Sequence, residues 1–350
     1  MDGELNLNVP LGRPVNLDGV KVTYFPVLGL RRLAWAPAMS RRLRETIRTF
    51  DVVHLHSVFL WPTWAAARAS FRVAKPYFIS PRGMLVPNLI KRKSRWIKGA
   101  WIQLIERHNI SHATGVHVTS DLEITEMRAL GLKLPEIYCV PNGVQWPSEH
   151  APLSAGPFAQ LPRPYALFIG RINWEKGIDR LIEAWRMVQN LYLVIAGNDE
   201  ENYMPKLEAL VHREGVKDRV LFVGPVTDAD KWALYENAEM VILPSYSENF
   251  GNVIAEAMAM SCPVVVTPGV GLAEIVRKSG AGLITPGEPK VLAANVSALM
   301  ANRSQREEMG RRGFKVAVGQ LSWSIVASRI EAMYTQASHI CGHTPRSRRI

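Results

Sequence analysis

Two carboxylates with seven residues between them, Glu248 and Glu256, frame the segment SYSENFGNVIAEAMAM (245–260). Asn249-Phe250-Gly251 separates the apolar run EMVILP (239–244) from a helical pattern that begins near Asn252. The first N–H groups of a helix are unpaired and its dipole is positive at that end, so such a junction attracts anions. A glycine at 251 lets the backbone approach a ligand closely. Glu248 falls in the loop and Glu256 just over one turn into the helix, so both acids can face one ligand. Taken singly, Glu256 also suits the helix dipole, and Glu248 a solvated loop. A second segment, FIGRINWEKGIDRLIEAW (168–185), ends a strand at Gly170 and sets Arg171 and Lys176 about a short loop that opens a helix. An arginine fork and a mobile lysine charge are the two side-chain means of holding a diphosphate.

Both segments need a scaffold that delivers two loops to one edge. Six short apolar runs supply it: 165–170, 191–197, 219–224, 239–244, 262–267 and 281–285. Helical patterns at 177–188, 203–214 and 228–236 lie between them. Strands of four to eight apolar residues spaced by helices predict βαβ units and a parallel sheet covered on both faces. The first part repeats the alternation less completely. Its candidate strands are 20–26, 50–56, 75–80, 114–120 and 137–141, and its helical patterns 36–49, 62–73, 94–110 and 122–130. This divides the chain into a first Rossmann-like domain (1–145), which the resemblance described below makes the acceptor side, a Pro- and Ala-rich linker (146–164), a second Rossmann-like domain (165–322), a crossover helix (323–338) and a basic tail (339–350). The expected ligand position is a cleft between the C-terminal edges of the two sheets.

With 350 residues, 47% of them hydrophobic and 21% charged, the chain is long enough for about two domains of ~100–200 residues. No apolar run approaches the ~20 residues that cross a bilayer, and the polar opening MDGELNLNVPLGRPVN is not a secretory signal. Cys139, Cys262 and Cys341 are odd in number and far apart, which argues for a reducing, cytoplasmic setting. Cys139 and Cys262 read as small core residues. The net charge is +11, and residues 1–150 carry 20 Lys and Arg against 11 Asp and Glu. The basic clusters at 31–32, 41–44 and 91–98 fit nucleic acid, an anionic membrane, a phosphorylated substrate or a plain solvated face. Trp61, Trp64, Trp96 and Trp101 lie on the same amphipathic segments and are read first as helix-packing residues. No Walker A loop, RNA-binding signature or G-x-G-x-x-G after an early strand is present, so neither nucleic acid nor a nicotinamide cofactor is expected.

The pairing of GRINWEKG with PSYSENFGNVIAEAMAMSCPVVVT, together with PNGV (141–144), resembles retaining glycosyltransferase family 4, the glycosyl transferases group 1, over about residues 20–338. The resemblance implies the GT-B fold, a nucleotide-diphosphate sugar donor and retention of anomeric configuration. It makes Arg171, Lys176 and Glu248 the catalytic residues, with Arg171 and Lys176 on the diphosphate. It makes Gly170, Asn249, Phe250, Gly251, Asn252, Val253 and Glu256 the donor-binding set, with Glu256 accepting from the ribose hydroxyls. The resemblance also implies metal-independent chemistry and no cofactor. The partners are then a nucleotide sugar, a glycan or lipid-linked acceptor in surface-polysaccharide synthesis, and the inner face of a membrane.

On the acceptor side His56, Arg82 and Gly83 are expected at the sheet edge. His54 and His56 share a strand face without an evident third metal ligand, and His108 and His112 lack the glutamate of a zinc-protease helix, so these residues read as structural. The family opens with a strand, a Gly-rich turn and a helix, whereas GRPVNLDGVKVTYFP reads as a later hairpin. The first domain is therefore expected to lack its first strand–helix unit, and a catalytically impaired nucleotide-sugar-binding remnant is the alternative function. A glycosidase using Glu248 and Glu256 would leave Arg171 and Lys176 unexplained.

Overall fold

An Asp-Gly turn opens the computed structural model, which describes residues 7–92, 95–147, 158 and 160–340. Asp18 and Gly19, both at positive φ, fold β1 (Pro14–Leu17) against β2 (Val20–Thr23) as an antiparallel hairpin. The segment GRPVNLDGVKVTYFP is the hairpin its sequence suggests, so the strand within 20–26 pairs with β1 and stands outside the first sheet. Most of the linker at 146–164, most of the tail at 339–350, Cys341 and the Lys93-Ser94 step of the third basic cluster lie outside the described residues.

The N-terminal sheet is formed by β3 (Val53–His56), β4 (Tyr77–Ser80), β5 (Gly115–Val118) and β6 (Glu136–Cys139), all parallel and in that spatial order. The two central strands are buried along their whole length, as a parallel sheet covered on both faces requires. Cys139, at the end of the edge strand β6, is exposed, whereas Cys262 is buried as expected. One long helical stretch follows β4: Arg95–Trp101, a π turn at Ile102–Glu106 and Arg107–Ser111. The π turn ends on Glu106, whose buried carboxylate accepts from the Phe59 N–H at 3.0 Å and from Trp101 Nε1 at 2.8 Å. Burial pushes the Glu106 carboxyl up in pKa, and its hydrogen bonds to Phe59, Trp101 and Asn109 oppose that rise. The helix Arg95–Trp101 buries none of its own residues. Trp96 is 79% exposed, so it is not the packing residue that its type suggests, and Ile97 (72%) and Leu104 (79%) are exposed with it.

The larger sheet contains β7 (Tyr165–Ile169), β8 (Tyr192–Ala196), β9 (Val220–Gly224), β10 (Met240–Leu243), β11 (Val264–Val266) and β12 (Gly282–Ile284). These are the six apolar runs, and they pair in parallel in the order β12-β11-β10-β7-β8-β9. The chain winds outward from β7 through β8 to β9, then returns to the other side of β7 at β10. That reversal is a topological switch point, where the loops after β7 and β10 diverge and leave a crevice. One continuous apolar core, including Trp185, Tyr165, Phe168 and Tyr235, packs this sheet against its helices.

The chain divides into two units. One takes the described residues up to Val118, Ile124–Cys139 and those from Glu331 on; the other takes Thr119–Glu123 and Val140–Ile330. The last helix, Trp323–Ile340, contributes its opening turns to the second unit and its later turns to the first. Among the described residues no helix is long and apolar enough to cross a membrane.

Candidate active site

Because β7 and β10 are neighbours, the loops that leave their C-terminal ends emerge side by side, and these loops carry the two charged segments. After β7 the chain passes Gly170 and Arg171 and makes a short 3-10 turn at Trp174–Lys176 before the helix Ile178–Trp185 begins. Gly177 joins turn and helix at φ 66°, and a Cβ there would stand 2.2 Å from the carbonyl oxygen of Pro244, at the end of β10. The Tyr246 N–H donates to the Glu175 carbonyl at 2.9 Å, closing the two loops on each other. Gly177→Ala is expected to cost about 3 kcal/mol through backbone overlap and the left-handed φ. A shift of the urea midpoint by less than a third of that would show that the loops tolerate separation.

The two loops bring Lys176 and Glu248 into a direct ion pair, with side chains 14% and 19% exposed. Glu248 is fixed through its backbone: its N–H donates to Gly269 O and its carbonyl accepts from the Gly271 N–H, each at 2.9 Å. Arg171 is placed differently. Its guanidinium is 60% exposed and pairs with Glu200 at 3.7 Å, on the loop after β8. An exposed pair at that distance is a weak restraint, so Arg171 is held loosely compared with Lys176.

Gly251, at φ 95°, occupies the N-cap of the helix Asn252–Ala259, and no side chain caps that end. A glycine cap leaves first-turn N–H groups for a ligand to satisfy. The Phe250 side chain is buried in the core, so only its backbone is available to a ligand. Asn249 donates from Nδ2 to Thr119 Oγ1 at 3.0 Å, and its carbonyl accepts from Ser120 Oγ at 3.1 Å. The exposed Asn252 side chain accepts from Asn142 Nδ2 at 3.0 Å, which places the asparagine of PNGV at this helix start. Val253 is half-buried beside it. Among the described residues of this unit, the buried side-chain polar atoms lacking a partner are Asn173 Oδ1, Asp179 Oδ1, Ser245 Oγ and Asn249 Oδ1. All four lie on the two loops or on the first turn of the helix between them. Orphan polar atoms are costly in a finished core, and their concentration here marks the place a polar ligand completes.

One turn into its helix, Glu256 is held by residues that neither charged segment contains. Lys231 Nζ donates to Oε1 at 3.1 Å and the Tyr235 hydroxyl to Oε2 at 2.7 Å. Burial raises the Tyr235 phenol well above its ordinary pKa, with the Glu256 charge adding to the effect, so the phenol remains a donor. Lys231 and Tyr235 are four residues apart on the helix Asp228–Asn237 and so share a face. That spacing was the only clue to them in the sequence.

At the C-terminal edge of the N-terminal sheet, Arg82 Nε donates to His56 Nδ1 at 3.3 Å. Arg82 and Gly83 both stand at positive φ after β4, as do Ser57 and Phe59 after β3. Strained non-glycine positions of this kind cluster at functional edges. His54 is satisfied rather than metal-directed: it bonds Ser80 Oγ at 2.7 Å and the Tyr334 hydroxyl at 2.6 Å. Its third neighbour, His117 on β5, carried no signal beyond a polar residue within an apolar strand. The His108 and His112 rings lie 4.2 Å apart, tilted by 39°, and pack edge-on against Phe71.

Burial, then the fields of His56, His117 and Arg82, hold the His54 pKa at about 3. His56 is lowered by burial and by Arg82. The unfolded chain takes up protons on these rings as pH falls below about 6.5, and the folded chain does not. Stability should therefore be whole above pH 6.5 and decline below it, by up to ~1.4 kcal/mol per pH unit for each ring. Urea midpoints taken from pH 7 to pH 5 check this, and His54→Gln should flatten the slope.

Two parallel α/β units, one carrying paired charges and an uncapped helix start at the switch point of its sheet, define an α/β protein with a candidate anion site. Residues 155–316 match the family model described as Glycosyl transferases group 1, and residues 8–143 match that described as Glycosyl transferase 4-like domain. The phosphatidyl-myo-inositol mannosyltransferase of Mycobacterium leprae is 30% identical over 320 residues, 87% of this chain and 78% of that protein. An uncharacterized glycosyltransferase of Methanocaldococcus jannaschii, MJ1607, is 35% identical over 181 residues; there the chain spans 46% of the relative's length. The fold is similar to sucrose-phosphate synthase from Thermosynechococcus elongatus, with TM-score 0.77, 20% identity and coverage of 95% of this chain and 87% of that one. It is also similar to Anabaena Alr3699/HepE in complex with UDP-glucose, with TM-score 0.71, 21% identity and coverage of 91% and 86%. The chain belongs to the glycosyl transferases group 1 family and is a glycosyltransferase.

Proposed function

We propose that the protein moves a sugar from a nucleoside-diphosphate sugar to a hydroxyl acceptor, with retention at the anomeric carbon. The observation that carries this reading is the junction of Lys176, Glu248 and the uncapped helix start at Asn252 on adjacent loops. Cleaving the bond between the anomeric carbon and phosphate leaves its electron pair on the diphosphate and positive character on the sugar. Lys176, Arg171 and the first N–H groups of the helix supply the opposing charge, and Lys176 exchanges Glu248 for phosphate as the donor enters. These groups, rather than a metal or other cofactor, are proposed to take the leaving charge. The freed Glu248 and the Asn249–Asn252 backbone hold the sugar, and Glu256 the ribose. Retention requires the acceptor oxygen to arrive on the face that the phosphate leaves. The departing phosphate oxygen is then the base nearest to the acceptor proton.

The acceptor is proposed to meet His56, Arg82 and Gly83 in the N-terminal unit and to be a glycan or lipid-linked sugar of surface-polysaccharide synthesis. Exposed Trp96, Ile97 and Leu104, with Arg95 and Lys98 on the same helical stretch, support seating on the inner face of an anionic membrane. Binding to phosphatidylglycerol vesicles should weaken as salt rises; salt-independent binding removes the membrane from this reading.

A thermal-shift panel of uridine, guanosine and adenosine diphosphate sugars tests the central claim. One base should raise Tm by several degrees at saturating ligand, and the same donor should be split to nucleoside diphosphate. Stabilisation without release of the nucleotide would make the chain a binding protein rather than a transferase.

A further inference from the structure

His54, Ser80 and His117 sit on three adjacent strands, β3, β4 and β5, in one hydrogen-bonded line. Tyr334, from the final helix, closes one end of it. The distances along the line are 2.6 Å from the Tyr334 hydroxyl to His54 Nδ1, 2.7 Å from His54 Nε2 to Ser80 Oγ and 2.8 Å from Ser80 Oγ to His117 Nδ1. The His54 ring also stacks on His56 at 4.3 Å, and His56 Nδ1 accepts from Arg82. The proposed donor chemistry uses none of Tyr334, His54, Ser80 or His117.

We propose that Tyr334, His54, Ser80 and His117 form a one-directional hydrogen-bond line that positions the His56–Arg82 pair, with His56 presented as a neutral Nε2–H donor. The inference rests on the acceptor-side reading of His56 and Arg82 only for its catalytic consequence. Two constraints set the direction of the protons. A guanidinium has donors and no acceptor, so the Arg82 contact fixes Nδ1 of His56 as a lone pair and leaves the ring proton on Nε2. A phenol donates to an imidazole nitrogen more readily than it accepts from one, so the short contact at His54 Nδ1 is O–H···N. His54 then carries its proton on Nε2 and donates it to Ser80, whose hydroxyl donates to His117 Nδ1. Every group in the line is satisfied with all three rings neutral.

The groups facing His54 from the packed elements agree with this order. They are His56 on its own strand, His117 on β5, Arg82 after β4 and Tyr334 on the last helix, and none of them is an acid. Burial raises the Tyr334 phenol, so it stays protonated and keeps donating. A second charge beside Arg82 would repel the acceptor-side guanidinium, and the line prevents His54 from supplying one. Tyr334 and His54 are thus positioning residues, acting through the stacked His56 ring.

Long-range proton–nitrogen correlation spectra of the full chain labelled at histidine nitrogen read each tautomer directly. His54, His56 and His117 should all appear as Nε2–H tautomers, with His54 neutral down to pH 5. In Tyr334→Phe the donor to His54 Nδ1 is lost. His54 should then titrate at higher pH and the His56 signals should move, while His108, His112 and His212 keep their wild-type shifts. The phenylalanine variant keeps the ring; unchanged signals from those three histidines show that it has folded. Donor splitting by the same variant should fall about three- to tenfold, the yield of one hydrogen bond, with unchanged affinity for the nucleotide. An Nδ1–H tautomer at His56, a charged His54 at pH 6, or unmoved His54 and His56 signals in Tyr334→Phe each overturn the proposal. If the tautomers are as described but His56→Ala leaves turnover intact, the line stands and the acceptor-side reading fails.

Discussion

Lys176→Met will slow turnover by about 10²- to 10³-fold, the loss typical when one preorganised group that opposes transition-state charge is deleted. The same substitution will also lower stability, because Glu248 loses the counter-charge that meets it in a half-buried setting. The two effects have different cures. In Lys176→Met combined with Glu248→Gln no uncompensated carboxylate remains, so the melting temperature should return toward that of the wild type. Turnover should stay low, because the charge on the leaving diphosphate is still unopposed. If the double variant regains activity together with stability, the lysine serves the fold and the leaving group is stabilised by something else. Arg171 offers an internal comparison. Its loose, exposed pairing with Glu200 means that Arg171→Met should leave stability within about 0.5 kcal/mol while still reducing turnover.

Glu256→Gln should weaken binding of the preferred nucleoside diphosphate roughly 10- to 150-fold, the cost of losing hydrogen bonds to a charged acceptor. Glutamine is the informative replacement. Alanine would strand the buried Tyr235 hydroxyl, whereas the amide oxygen of glutamine can still accept from Tyr235. Calorimetric titration with the ribonucleotide and with its 2′,3′-dideoxy analogue isolates the sugar contact. The wild type should prefer the ribonucleotide strongly; the variant should bind both about equally. An equal penalty on both ligands would place Glu256 in the scaffold and out of contact with the ribose.

The larger sheet was legible because each of its strands is a separate apolar run bounded by turn residues, and burial on both faces demands such runs. The donor corner was legible for a different reason. Its residues are local to two loops, and the strand order that makes those loops neighbours follows from the βαβ alternation. Residues that act by reaching across the fold left little trace. Lys231 and Tyr235 look like any polar and aromatic pair on an amphipathic helix until Glu256 is placed opposite them. Tyr334 lies 280 positions from His54, and no period in the sequence links the two. Trp96 misled because its side chain is apolar, while its helix turns Trp101, and not Trp96, toward the core. The hairpin was legible as well, because Asp18-Gly19 is a two-residue turn between two β-rich runs.

A ribosome delivers this polypeptide from its amino end, and the strands β3 to β6 emerge long before the last helix does. The nascent first unit then holds His54 with its Nδ1 acceptor empty until Tyr334 is synthesised, so vectorial assembly can finish that unit only after the whole second unit has been made. A nonsense codon in the first turns of the helix Trp323–Ile340 should therefore leave two lesions, a shortened helix and an N-terminal sheet whose histidine edge is never locked.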